Sequence, residues 1–141
     1  MDPVTAFGMA GTILQFIESG TNFARLAWKM RDFGKDDNND EARDLFRISI
    51  DLETVLLKIK GTGKASEDEK GLNQLTMDCE RTASQLLGIL QKLKLAESGR
   101  KRDAIKAAFR MICKEDEIKS LQDRLSSYRN QLNLHLLLSL R

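Results

Sequence analysis

Side chains able to do covalent or acid–base chemistry are scarce in this chain of 141 residues, which has one histidine, His135, and two cysteines, Cys79 and Cys113. A Ser-His-Asp arrangement would have to be built on His135. That residue falls on the apolar seam of a C-terminal helical pattern, where a hydrogen-bonded core imidazole is expected rather than a general base. The cysteines stand at no metal-ligand spacing, and one histidine does not complete a zinc set with them. They read as small core residues of a reducing compartment, which predicts a cytoplasmic protein. Gly8-Met9-Ala10-Gly11 is no nucleotide loop, because it follows no strand. The expectation is a non-enzymatic protein with no catalytic residue, no metal and no cofactor.

The remaining chemistry is that of surfaces. Net charge is +2, unevenly spread. From Asp32 to Glu53 there are eight acidic and three basic residues, whereas Lys92 to Lys114 carries eight basic residues (Lys92, Lys94, Arg100, Lys101, Arg102, Lys106, Arg110 and Lys114) and two acidic ones. The basic stretch is a solvated loop and helix face or a dock for an anionic surface. Nucleic acid would call for aromatic residues interleaved with the basic ones, or for a recognition helix, and Phe109 alone does not supply that. Near an anionic leaflet each Lys or Arg contributes about 1 kcal/mol, so phospholipid is favoured over nucleic acid.

An apolar partner for that basic stretch lies in Met1 to Gly20, which holds only two charges, Asp2 and Glu18. On a helix, Ala6, Phe7, Met9, Ala10, Ile13, Leu14, Phe16 and Ile17 cover about half the circumference, and Thr5, Gly8, Gly11, Thr12, Gln15, Glu18 and Ser19 fill the rest. Asp2 suits an N-cap and Pro3 the first helical position. One reading is a buried helix in the middle of a bundle, with Gly8 and Gly11 allowing close backbone approach. The other is a segment that can leave the bundle for a membrane. Pro3 to Ile17 makes about 22 Å of helix against a hydrocarbon core of about 30 Å, too short to span. Extending to Ala24 reaches about 33 Å but includes Glu18, which costs about 2.5 to 3.5 kcal/mol at a bilayer centre. Constitutive insertion is disfavoured, and conditional insertion as an oligomer stays open.

The elements that must position these residues are all helical. The single proline is at position 3, and β-branched and aromatic residues are few beside Leu, Lys, Glu, Asp, Arg and Ala. The first helix continues through Phe23, Ala24, Leu26, Ala27, Trp28 and Met30 to a stop at Phe33-Gly34, with a kink or break expected at Gly20. A second runs from about Asp40 to Lys60 on Leu45, Ile48, Leu52, Val55 or Leu56, and Ile59. Ser66 to Glu69 forms a capping box for a third, on Leu72, Leu75, Cys79, Ala83, Leu86, Leu90 and Leu93. Its interior Gly88 suggests a close crossing. A short helix follows over Asp103 to Cys113, and then a final one on Ile118, Leu121, Leu125, Tyr128, Leu132, His135 and Ser139. The closing LNLHLLLSLR is apolar on nearly every face, so it is expected to sit centrally against the first helix.

The opening MDPVTAFGMAGTILQFIESGTNFARLAWKMR resembles the start of the fungal N-terminal domain of STAND proteins, the HeLo-like group that precedes NACHT-type modules in fungal NOD-like receptors. The ending IKSLQDRLSSYRNQLNLHLLLSLR is similar to the last helix of those domains, and LFRISIDLETVLLKIKG and CERTASQLLGILQKLKL agree in layout. The resemblance implies an all-α, HeLo-like bundle of four long helices plus one short helix, with the N-terminal apolar helix packed centrally, as a single domain over 1–141. It implies a domain excised from a longer receptor, with a NACHT or NB-ARC module in cis, or a stand-alone relative. It also implies a cell-death effector of innate immunity that moves from the cytoplasm to the plasma membrane on activation. The membrane-insertion candidates are then Val4, Phe7, Met9, Ile13, Leu14, Phe16 and Ile17, with Glu18 as a polar lining or gating residue. Implied partners are like HeLo-type domains or further copies of the chain, an anionic membrane surface, and no nucleic acid. The alternative is a homotypic interaction module without membrane activity.

Overall fold

The computed structural model describes residues 3–32, 40–61, 70–97 and 111–139. They form α1 (Pro3–Asp32), α2 (Asp40–Gly61), α3 (Lys70–Glu97) and α4 (Glu115–Ser139), with no strand among the described residues. Of the short helix expected over Asp103 to Cys113, only the end is described: Met111 and Ile112 are helical and Cys113 is a bend. The Ser66–Glu69 capping box lies outside the described residues.

Local rules account for the helix ends. Pro3 opens α1, where its missing N–H leaves no bond unmade. Lys58 and Lys60 occupy the last turn of α2, and Glu115, Asp116 and Glu117 the first turn of α4, each complementing the helix dipole. The Ile118 N–H donates to the Lys114 carbonyl at 3.1 Å, which makes Lys114 the capping residue of α4.

The helices run up-down-up-down. Trp28 of α1 meets Gln122 of α4, and Phe16 meets Tyr128, so rising numbers on one match falling numbers on the other. The same opposition relates α3 to α4 through Gln85–Arg124 and Thr82–Tyr128. In α1 and α2, Gln15 lies beside Lys58, and Ser19 and Asn22 share a groove with Asp51. Helix α1 packs on all three others, as does α3, while α2 and α4 make no contact among the described residues. The diagonal pair therefore supplies the centre. Because α1 is covered from three sides it can bury a wide apolar face, and α2 needs only the single seam of Leu45, Ile48, Leu52, Val55 and Ile59, all buried.

Three expectations are corrected by this packing. Helix α1 is continuous through Gly20, so no break divides it, and the glycine is buried where α4 comes close: a Cβ there would stand 2.9 Å from Leu125 Cδ2. Gly8 and Gly11 are not closely packed; both are exposed, with no described atom within 4 Å of a Cβ built on either. Gly88 marks no close crossing among the described residues, since a Cβ there also meets none of their atoms within 4 Å. At the opposite end of α3, the His135 ring of α4 lies directly against Gly71.

Candidate functional site

The N-terminal half of α1 holds most of the candidate residues and splits them sharply. Met9, Ile13, Phe16 and Ile17 are buried in the core. Phe16 sits in a waist formed with α3 and α4: its ring centroid is 6.3 Å from that of Tyr128, whose hydroxyl is 3.0 Å from the buried Thr82 Oγ1. That pair satisfies two hydroxyls that burial would otherwise leave without partners. Val4 and Phe7 lie on the first turns of α1, and their side chains fall outside the described ones.

Leu14 departs from the expected apolar face, being 46 % exposed. Thr12 and Ser19, expected on the polar stripe, are buried instead. Thr12 tolerates burial because its hydroxyl donates to the Gly8 carbonyl at 3.0 Å. The solvent strip of α1 thus consists of Gly8, Gly11, Leu14, Gln15 and Glu18 and continues to Arg25. Glu18 is the first charge along the described part of that strip. It shares a polar groove of about 230 Å³ with Gln15, Asp51 and Lys58, and the Lys58 ammonium donates to Gln15 Oε1 at 2.9 Å.

Of the basic candidates, Lys92 near the end of α3 and Lys114 before α4 are exposed. The antiparallel packing places them at one end of the bundle. Lys94 is on α3 with its side chain outside the described ones, and Arg100, Lys101, Arg102, Lys106 and Arg110 lie outside the described residues.

Both cysteines are buried free thiols. Burial, with a smaller contribution from the charge of Asp78, pushes the Cys79 thiol from its ordinary 9.0 up to about 12, so it stays protonated and unreactive at neutral pH. His135 is half-buried on α4. No group of metal-ligating side chains occurs among the described residues. No helix among them is long and apolar enough to cross a membrane.

Several surface features escaped the sequence reading. Phe46, Ile50 and Leu57 are exposed along one stripe of α2, displaced from its buried seam. Their spacing of four and seven residues was a readable signal. Leu134, Leu137 and Leu138 are exposed on the last turns of α4, so the apolar ending of that helix is not enclosed against α1. A corner helix with two neighbours covers only its inner face. Finally, a cavity of about 360 Å³ opens between α3 and the start of α4, lined among others by Phe23, Gly88, Lys92 and Ile118. Comparison with family models, with curated proteins and with solved structures returns no match.

Proposed function

We propose that this chain is a HeLo-like domain of the STAND type that executes or relays programmed cell death at a membrane, with burial of α1 as its resting state. The observation that carries this reading is the uncharged outer strip of α1 from Gly8 to Gln15, backed by the apolar Met9, Ile13, Phe16 and Ile17. A helix so constituted can leave a protein core for a bilayer without dehydrating a charge before Glu18. Glu18 then stays at the interface or lines a pore, where an ionised carboxylate costs less than at the bilayer centre.

Release is conditional for an energetic reason. Withdrawing those four side chains from the core forfeits about 1.5 to 3 kcal/mol each, roughly 6 to 12 kcal/mol in all, comparable with the whole stability of a small domain. Clustering of like domains and transfer of the same side chains into lipid offset that loss. Lys92, Lys114 and the basic residues between them meet anionic headgroups. The domain works without a cofactor, in the cytoplasm until it moves to the plasma membrane, and a NACHT or NB-ARC module in cis drives the clustering where it belongs to a receptor.

Dye release from anionic liposomes tests this. Leu14 is solvent-exposed at rest, so Leu14→Lys keeps the fold while placing an ammonium on the inserting surface. The wild type releases dye and the variant releases several-fold less. Equal release by two folded proteins, or none by either, overturns the proposal.

The exposed stripe of Phe46, Ile50 and Leu57 on α2 favours a second reading, a homotypic interaction module that leaves membrane work to another protein. In that case Phe46→Glu abolishes a complex with a like domain, measured by solution sizing, and no liposome binding is seen at any protein concentration.

A further inference from the structure

We propose that the cavity between α3 and the start of α4 binds a free single-chain amphiphile with a monoanionic head, a fatty-acid carboxylate. This does not rest on the membrane reading and concerns the opposite end of α1. The floor is made of Phe23, Leu86, Ile118 and Leu121, all buried, and the volume is about 360 Å³. Small-molecule sites typically span about 300 to 1,000 Å³. An apolar floor offers water few hydrogen-bond partners, and the Thr82 hydroxyl in the wall is already matched to Tyr128.

The space exists because α3 carries glycine at position 88. Gly88 lines the cavity, and a Cβ there would have no atom of the described residues within 4 Å. Any larger side chain at this position would project into the room that an acyl chain needs.

The mouth defines the head. Among the described residues, Lys92 and Arg124 stand at the rim with one carboxylate, Glu117, and the Arg124 guanidinium donates to Gln85 Oε1 at 3.3 Å. Two cations against one anion leave a single positive charge, which complements a monocarboxylate and undershoots a dianionic phosphate. A cationic head would meet net repulsion from Lys92 and Arg124.

Isothermal titration calorimetry of the full chain with hexanoate, octanoate and decanoate, each below its micelle-forming concentration, tests the assignment. The expected result is one site per chain, with affinity rising about fourfold per added methylene until the cavity is filled. Decyltrimethylammonium does not compete. Gly88→Phe, with unchanged circular dichroism, abolishes binding, and Lys92→Glu weakens decanoate by about fivefold or more. Equal binding of the cationic amphiphile, retention of binding in folded Gly88→Phe, or no binding of any carboxylate overturns it. Gly88→Phe leaves dye release by the N-terminal helix unchanged, so failure of this site and failure of the membrane reading are separable.

Discussion

Gly20 on α1 and Gly88 on α3 both lie inside long helices, where glycine costs roughly 1 kcal/mol relative to alanine. Around Gly20 the bundle is closed: Leu125 of α4 presses on the bare backbone, and Phe16 and Tyr128 fill the next turn. Around Gly88, two turns along α3 from Thr82, no atom of the described residues lies within 4 Å of a Cβ built there, and a cavity takes the place of a side chain. One glycine is required by its neighbours; the other leaves room that its neighbours do not use. The helix-propensity cost is the same at both, so only tertiary surroundings tell an obligatory glycine from a permissive one.

That contrast can be broken by measurement. The largest effect is expected at the closed waist, where Phe16→Ala removes a fully buried ring and lowers the unfolding free energy by about 3 to 5 kcal/mol in urea titrations. A loss below about 1 kcal/mol would mean the waist collapses around the gap. Gly20→Leu forces atoms into the space of the buried Leu125 and costs about 1 to 3 kcal/mol by the same assay. Were it neutral, α4 would be able to step back and the approach would not need glycine. Gly88→Ala, by contrast, raises stability by about 1 kcal/mol, because it restores helix propensity without a clash. A loss there would show that the cavity is closed by something the substitution displaces.

An effect confined to alkaline pH, and absent at neutral pH, belongs to Cys79, on the closed part of α3. Its raised pKa means that the folded state holds the thiol proton more tightly than the unfolded chain. The corresponding stabilisation is complete below pH 9.0 and is lost as pH rises toward about 12. The urea midpoint of the wild type should fall across that window, and that of Cys79→Ala should fall less. At neutral pH iodoacetamide should leave Cys79 unmodified until the chain unfolds.

The seams of α2, α3 and α4 were legible because each helix shows one narrow stripe of apolar residues at three- and four-residue steps, and Leu52, Leu75, Leu90 and Leu132 all point inward as that stripe demands. On α1 the same logic weakens. With apolar residues around about half the circumference and a weakly polar remainder, periodicity does not rank Leu14 against Thr12, and the structure exposes the leucine and buries the threonine. Nor does a helix report how many neighbours it has, so the ending of α4 looked central although its outer leucines face solvent. The cavity had no local signature at all. Phe23, Leu86, Gly88 and Ile118 come from three helices, and only their assembly defines the gap.

Trp28, the sole tryptophan of the chain, donates its indole N–H to Gln122 Oε1 at 3.2 Å across the α1–α4 seam. The ring is half-buried and packs on the core from α1, downstream of the residues proposed to enter lipid. The protein therefore carries an intrinsic optical reporter of its own latch. Steady-state emission should be blue-shifted while α1 and α4 are docked and should move to longer wavelength when α1 swings away, with no label attached and with folded α2 and α3 contributing no indole signal to the background.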